Sequence, residues 1–284
     1  QDFLKTLAEA CLKTGFQVHA HCLMRNHFHL VVETPNANLV AGMRWLLSTY
    51  TIRLNHRHKL FGHVFSGRYK ALVVDGSGNG YLRTVCDYVH LNPVRAKLLG
   101  PEQRLLEYPW SSFGMYLAAR GHRPQWLRVD RLLGEHGMVE DTAAGRRLFE
   151  QQMEARRAEG DDEAEWKPIR RGWCLGAPEF KARLLEQIEG KLGEHHSGEL
   201  RRESAQAKGE RIIGEELKRL KWSERDLRQR PKSDAAKLNL AARLRRETTL
   251  TIRQIAERLH LGSWKSLNNK LYLRSRGKGK RNKV

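Results

Sequence analysis

Cysteines and long apolar runs are scarce in this sequence. Four cysteines occur in 284 residues, and none are spaced as Cys-x-x-Cys, which argues against a structural zinc site and a disulfide framework. No stretch approaches the roughly 18 consecutive apolar residues of a membrane span, and residues 1–16 do not resemble a signal peptide. The hydrophobic content of 40% excludes a fully disordered chain. We therefore expect a cytoplasmic protein with free thiols and no membrane partner.

Basic residues outnumber acidic ones, and most of the excess positive charge lies in the C-terminal part of the sequence. The chain has 52 Lys and Arg against 32 Asp and Glu, which gives a net charge of +20. Residues 201–284 hold 25 basic and 9 acidic residues, a net +16. A block this basic favours a polyanion, because each phosphate that it neutralises releases counterions. The charge is also compatible with a solvated surface, and the basic tail at 274–284 with a disordered chain end.

Alternation and helical periodicity predict an α+β domain over residues 1–118. The predicted elements are a helix at 2–14, strands at 16–23 and 27–33, a helix at 38–57, a strand at 68–74 and a helix at 80–91. A short turn joins the first two strands, which indicates a β-hairpin. The last helix should end before Pro93, because proline disfavours the helical conformation in the residue that precedes it. This order is typical of helices packed on an antiparallel sheet.

The remainder of the chain is predicted to be helical. Residues 119–205 form a charged connecting region, and residues 206–273 form several short helices. Near the end, Thr251 begins a helix, Leu261 and Gly262 form a turn, and a second helix follows at 263–273, which is the pattern of a DNA-binding helix-turn-helix. The predicted interior of this pair comprises Ile255, Ala256, Leu259, Leu267 and Leu271. A plain helical bundle is the alternative.

Two histidines form a possible metal site. His27 and His29 are two residues apart on the second predicted strand, so both imidazoles project from one face, while Phe28, Leu30 and Val32 should face the core. Two imidazoles on one face can occupy neighbouring coordination positions of a divalent metal ion. Histidine pairs on the exposed face of a strand are more often simply solvated, so the pair alone does not define a site.

The helix predicted at 80–91 carries a possible nucleophile. Its predicted core face comprises Leu82, Val85, Cys86 and Val89. Tyr88 lies off that face and shares one side of the helix with Asn92, four residues later. A phenol can attack a metal-bound phosphate, because the metal polarises the phosphoryl oxygens, and Asn92 could give the metal an oxygen ligand. The simpler interpretation is a tyrosine at a helix edge with Asn92 as the C-cap.

Three segments together resemble a known family. They are Asn26-His27-Phe28-His29-Leu30, Gly67-Arg68-Tyr69-Lys70-Ala71 and Asp87-Tyr88-Val89-His90-Leu91-Asn92-Pro93-Val94-Arg95-Ala96. In type, order and spacing they resemble the REP-associated tyrosine transposases, which are single-tyrosine members of the HUH family of single-strand DNA nucleases. The resemblance covers about residues 1–118, and the C-terminal helix-turn-helix is similar to an appendage of some members.

The resemblance implies a ferredoxin-like antiparallel sheet with helices on one face, and a metal-dependent DNA transesterase. His27, His29 and Asn92 would bind Mg²⁺ or Mn²⁺, and Tyr88 would attack a DNA phosphate to give a 5′-phosphotyrosine adduct and a free 3′-OH. The substrate would be single-stranded DNA with hairpin-forming repeats, and the protein would act as a monomer or dimer. The family fold begins with a strand before the first helix, so we expect this chain, which starts in the helix, to lack that strand.

The resemblance and the helix-turn-helix pattern also indicate DNA contacts and rival nucleophiles. The expected DNA contacts are Arg68, Lys70 and Arg95 in the first domain, and Lys265, Asn268, Asn269 and Lys270 in the second helix of the helix-turn-helix. Tyr69 is the main rival nucleophile, but its place beside two basic residues favours a contact with the DNA backbone. Tyr81 and Tyr50 are weaker rivals.

Two functions of different classes fit this sequence. The first is a transposase or endonuclease that cleaves single-stranded DNA through Tyr88. The second is a non-catalytic, sequence-specific DNA-binding protein, a degraded relative that retains the helix-turn-helix. The intact pair of histidines with Tyr88 and Asn92 favours the enzyme, and the expected lack of the first strand favours the binding protein.

Overall fold

The computed structural model describes residues 2–160, 163–189 and 198–279. The first elements are α1 (Asp2–Thr14), β1 (Gln17–Leu23), β2 (Phe28–Glu33), α2 (Leu39–His58), β3 (Val73–Val74) and α3 (Tyr81–Arg95). They are followed by α4 (Phe113–Leu117), α5 (Asp130–Glu135), α6 (Ala143–Glu159), α7 (Glu163–Arg171), β4 (Cys174–Leu175) and α8 (Pro178–Glu189). The last are α9 (Gly198–Leu220), α10 (Glu224–Gln229), α11 (Ala235–Glu247), α12 (Ile252–Arg258) and α13 (Trp264–Gly279). The predicted α+β class is confirmed.

Two further expectations about the chain can be compared with these elements. All four cysteines are free thiols, as predicted. Over the described ranges, no helix combines the length and the apolar character that crossing a membrane requires. Of the predicted basic tail, residues 274–279 continue α13, and residues 280–284 lie outside the described residues.

The chain divides into two compact units, and the segments that form them alternate along the sequence. The hairpin unit comprises Phe16–Glu33 and His63–His196, and the helical unit comprises Gln1–Gly15, Thr34–Gly62 and Ser197–Val284. Each unit therefore joins segments that are far apart in sequence. The domain boundaries predicted at residues 118 and 205 stay a prediction.

The predicted β-hairpin is confirmed, because β1 and β2 pair antiparallel. The register pairs Cys22 with His29 and shifts by one residue near His19. The buried residue of β2 is Val31, which lies on the same face as His29. The prediction that Phe28, Leu30 and Val32 form the core side of this strand is wrong, since these three side chains are only half-buried.

The strand predicted at 68–74 is mostly wrong. Only Val73–Val74 is a strand, and it pairs parallel with β4 rather than with the hairpin. The free edge of β1 is used by other segments, because Leu23 N–H donates to the carbonyl of Trp110 (2.9 Å) and Arg128 N–H donates to the carbonyl of Val18 (2.8 Å). Within the described residues the sheet of the hairpin therefore has two strands. The ferredoxin-like arrangement stays a prediction.

Helix α3 is the central helix of the hairpin unit and packs against both strands. It continues through Pro93 to Arg95, so the predicted end before Pro93 is wrong. Proline cannot donate a hydrogen bond of its own, but the Ala96 N–H donates to the carbonyl of Asn92 (2.9 Å), so the backbone bonding continues past Pro93 and closes the last turn. The helix is buried nearly all round rather than on one face. Tyr88, predicted to lie off the core, is only 8% exposed.

The helical unit packs α1 against α2 and against α11. Lys13, near the end of α1, donates from Nζ to the carbonyls of Arg245, Arg246 and Thr248, where α11 ends. These carbonyls have no partner within their own helix, so a buried ammonium group satisfies them. This contact joins the N-terminal segment to the C-terminal helices within one unit.

Helices α12 and α13 form the pair predicted at the C-terminal end. Thr251 caps α12, its hydroxyl accepting from the Gln254 N–H, and His260 takes a left-handed conformation (φ 50°) in the connection to α13. The five predicted interior residues are all buried in the core of this unit. The two helices and their packing are therefore as expected. Their action as a DNA-binding helix-turn-helix stays a prediction.

Candidate active site

His27 and His29 lie where the turn of the hairpin enters β2. His27 directly precedes the strand and is exposed, with its Nδ1 2.8 Å from the Asn26 side-chain oxygen. His29 is half-buried within the strand. The two ring centroids are 4.9 Å apart, in an edge-to-face arrangement. The predicted histidine pair therefore forms a real cluster rather than two separate solvated rings.

The electrostatics of His29 favour a metal ligand over a cation. Burial, together with the neighbouring His27 and Arg95, lowers the pKa of His29 to about 4. The imidazole is consequently neutral at physiological pH. A neutral imidazole has a free lone pair on one nitrogen, which is the form that binds metal ions.

Helix α3 brings Tyr88 to this histidine pair. The rings of Tyr88 and His29 are edge to face, with centroids 5.6 Å apart. The contact follows from the packing of α3 on the hairpin, which turns the face of β2 that holds His29 and Val31 toward the helix. The sequence prediction that Tyr88 lies within reach of the histidines agrees with this placement.

Asn92 lies one turn after Tyr88 on the same helix and is 7% exposed. Its side-chain Nδ2 is buried and has no hydrogen-bond partner within the described part of the chain. A buried amide without a partner costs free energy, of order 1–3 kcal/mol. A half-turn of the amide exchanges its nitrogen and oxygen, so Asn92 can present an oxygen at the same position. An orphaned amide of this kind fits the predicted role of an oxygen ligand.

The donors present fit the implied metal ion in kind. His27 and His29 supply nitrogen and Asn92 supplies oxygen, a mixed set that Mn²⁺ accepts more readily than Mg²⁺, which prefers oxygen. Throughout the described ranges, no group of three His, Cys, Asp or Glu side chains is arranged to hold a metal ion. A site here therefore depends on Asn92, and the ligand set stays a prediction.

One aromatic and one basic side chain, those of Trp166 and Arg95, lie against the ring of Tyr88. The indole of Trp166, in α7, has its centroid 5.6 Å from that of the Tyr88 ring. The Arg95 guanidinium lies 4.6 Å from the Tyr88 ring centroid and 5.5 Å from that of Trp166. Arg95 was predicted to contact DNA, but Trp166 was missed, because it lies 78 positions after Tyr88 in a charged stretch without a motif.

A buried carboxylate holds α3 in place beside the site. Asp87 is fully buried and accepts from His136 Nε2 (2.9 Å) and Arg156 (2.6 Å). The Arg156 guanidinium also lies 5.4 Å from the Trp166 ring centroid. Truncating one partner of a buried ion pair is strongly destabilising, so this network fixes the helix that carries Tyr88. Neither Arg156 nor His136 belongs to a motif recognisable in the sequence.

The remaining predicted residues lie on exposed segments. Arg68 and Lys70 are exposed in the coil before β3. Lys265, Asn268 and Asn269 are exposed on α13, where Asn268 accepts from Arg245 (3.0 Å). Lys270 is half-buried and donates to the carbonyl of Lys232 (3.1 Å). Of the rival nucleophiles, Tyr69 and Tyr81 are half-buried in the hairpin unit and Tyr50 belongs to the helical unit. All of these roles stay predictions.

Comparison with known proteins finds a similarity for the N-terminal third of the chain. Residues 1–92 match the family model described as transposase, IS200 like. The matched segment contains His27, His29, Tyr88 and Asn92. No curated protein and no solved structure matches the chain. Residues 1–92 are therefore similar to the IS200-like transposases.

Proposed function

We propose that this protein is a single-strand DNA transposase or endonuclease of the REP-associated type, which acts in the cytoplasm on hairpin-forming repeats. The observation that carries the proposal is the contact between His29 and Tyr88, whose rings come from different elements and meet at 5.6 Å. A family match alone would not require the two motifs to meet. Their meeting supports a phenol that is activated beside the neutral imidazole of His29, as a tyrosine nucleophile requires.

His27, His29 and Asn92 would hold Mg²⁺ or Mn²⁺ in this mechanism. The ion, when bound, would polarise the phosphoryl oxygens of the scissile phosphate. Arg95 lies beside Tyr88 and would orient the DNA backbone, because a guanidinium pairs with two phosphate oxygens. Arg68 and Lys70, which are exposed, would make further contacts with the DNA backbone.

The proposed reaction is a transesterification. The phenolic oxygen of Tyr88 attacks phosphorus and loses its proton, and the bond between phosphorus and the 3′ oxygen breaks. The released 3′ oxygen takes up a proton to give a free 3′-OH, and the 5′ phosphate stays linked to Tyr88. The number of phosphoester bonds is unchanged, so a 3′-OH can reverse the step and join a new strand.

The C-terminal helices would supply a second DNA contact. Helix α13 carries Lys265, Asn268 and Asn269 on an exposed surface, while its apolar side packs in the core. We propose that α12 and α13 act as a helix-turn-helix, with α13 entering the major groove of the hairpin stem. Amide side chains such as Asn268 and Asn269 can read adenine there.

The nucleophile can be tested with a hairpin oligonucleotide labelled at its 3′ end. Wild-type protein with Mn²⁺ should give a labelled band that resists denaturation, because the 3′ fragment becomes linked to Tyr88. Tyr88→Phe removes one oxygen from a buried ring, so folding and DNA binding should persist while the band falls to background. His27→Ala should also lose the band, and excess Mn²⁺ should restore part of it only in this variant.

Tyr69→Phe is the matched control, since it makes the same change in the rival nucleophile and should leave the band intact. A labelled band that survives in Tyr88→Phe would assign the attack to another residue. A wild-type protein that binds the hairpin tightly but never forms the band would instead support the alternative, a non-catalytic DNA-binding protein.

A further inference from the structure

Tyr88 is covered by a side chain from a distant helix. The indole of Trp166 packs on its ring with centroids 5.6 Å apart, and the two side chains are only 2% and 8% exposed. A phosphodiester must approach the phenol to within bonding distance, and a nucleotide needs several ångströms of open space to do so. The described conformation therefore keeps the proposed nucleophile from the DNA.

Trp166 lies where aromatic and positively charged groups meet. Its ring contacts that of Tyr88 at an interplanar angle of 53° and lies close to two guanidinium groups, those of Arg95 (5.5 Å) and Arg156 (5.4 Å). Proteins that bind single-stranded DNA hold bases against aromatic and guanidinium groups. The Arg95 guanidinium would also bind phosphate oxygens. The indole thus occupies a place in which a nucleotide finds a stacking surface and positive charge.

The contact is also poised to open. The indole N–H of Trp166 is buried and has no hydrogen-bond partner among the described residues. An unsatisfied buried donor makes the closed conformation less stable than its apolar contacts alone would suggest.

We propose that Trp166 is a plug that a nucleotide of the single-stranded substrate displaces before Tyr88 can attack. This inference rests on the proposed function and adds a regulatory step to it. In the absence of substrate, the plug keeps the phenol out of contact with solvent and with non-target DNA. A strand that supplies a base for Arg95, Arg156 and Tyr88 replaces the indole and exposes the nucleophile.

The first test measures the rate of adduct formation at a limiting concentration of hairpin oligonucleotide. If about nine in ten molecules are plugged, Trp166→Ala should raise this rate about tenfold, because the competent fraction rises to near one. Trp166→Phe retains a ring of smaller area and should give a smaller increase. Trp110→Ala is the matched control, since Trp110 belongs to the same unit and is 44% exposed; it should leave the rate unchanged.

The second test does not depend on catalysis. Nitration by tetranitromethane, followed by peptide mass spectrometry, should modify Tyr88 more in Trp166→Ala than in the wild type without DNA. Hydroxyl-radical labelling of Trp166 in the full-length Tyr88→Phe protein should increase when the hairpin oligonucleotide binds. This last measurement retains the indole and so does not depend on how well Trp166→Ala folds.

The possible outcomes distinguish the proposed role of Trp166 from the proposed catalytic function. Increased nitration and DNA-dependent labelling without any adduct in any variant would support the plug and contradict the proposed catalytic function. An adduct that forms at equal rates in wild type and Trp166→Ala, with Trp166 labelling unchanged by DNA, would overturn the plug and leave the catalytic proposal standing.

Discussion

His21 illustrates how burial controls histidine chemistry in the hairpin unit. It lies on β1, is fully buried against Trp126 with ring centroids 5.7 Å apart, and neither ring nitrogen has a hydrogen-bond partner among the described residues. Burial lowers its pKa to about 4, whereas histidine in an unfolded chain titrates near pH ~6.5. The unfolded state therefore binds more protons than the folded state below about pH 6.5.

We expect stability to fall as the pH drops through this window. The contribution of His21 is complete above about pH 6.5 and is progressively lost toward pH 4, which amounts to roughly 2 kcal/mol between pH 7 and pH 5. His21→Phe keeps an aromatic ring that cannot be protonated, so its free energy of unfolding should depend less on pH. Urea unfolding at the two pH values measures the difference.

The control is His63→Phe, which changes an exposed histidine of the same unit. It should retain the full pH dependence of the wild type. If His21→Phe and the wild type lose the same stability between pH 7 and pH 5, His21 is not the group that titrates.

At the scale of elements, the end of α11 depends on a lysine from α1. The Lys13 ammonium donates to carbonyls that α11 leaves unsatisfied, and burial lowers the pKa of Lys13 to about 8. Lys13→Met keeps the length and most of the apolar contacts of the side chain but removes every donor. We expect the free energy of unfolding to fall by about 1–3 kcal/mol, because buried carbonyls lose their partners. Chemical denaturation of the full chain measures it.

Lys5→Met is the matched control, since Lys5 lies on the same helix with its side chain exposed. It should change stability by no more than about 0.5 kcal/mol, as surface substitutions usually do. Equal effects of the two substitutions would mean that the loss of charge, and not the contact with α11, matters.

The elements that the sequence predicted well are those defined by local pattern. The bounds of α1 and of both hairpin strands agree with the predictions to within one residue, because alternation and helical spacing are properties of consecutive side chains. The prediction of a strand at 68–74 was mostly wrong because strand pairing depends on residues that are far away in sequence. Val73 and Val74 are good strand residues, but their pairing partners in β4 lie 101 positions later, and the edge of β1 is used by still other segments.

The residues of the candidate site also fall into two groups, those found from local motifs and those that only the tertiary fold brings together. His27, His29, Tyr88 and Asn92 belong to short motifs, so resemblance to a family identified them. Trp166 and Arg156 approach Tyr88 or its helix only through the tertiary fold. Neither has a spacing or a motif that sequence reasoning can use, and the burial of Tyr88 was missed because of the same long-range contact.

At the scale of the whole molecule, the helical unit combines N-terminal and C-terminal segments, and this limits how DNA binding can be tested. Helix α1 packs against α11 within the helical unit, and Lys13 joins the two. Removing the basic C-terminal residues would therefore also remove the packing partner of the N-terminal helix. Point substitutions in the full-length protein avoid this loss and change one charge at a time.

We expect Lys265→Gln to reduce the salt dependence of hairpin binding. If Lys265 contacts a phosphate, its loss should lower the slope of log Kobs against log salt by about 0.9 for duplex DNA, since one fewer counterion is released. Fluorescence anisotropy of a labelled hairpin between about 50 and 200 mM salt measures the slope. Lys218→Gln removes the same charge from an exposed position on α9 of the same unit and should change the slope less. Equal slopes for the two variants would mean that the basic block binds DNA as a diffuse charged surface, and that α13 is not the DNA-contacting helix of a helix-turn-helix.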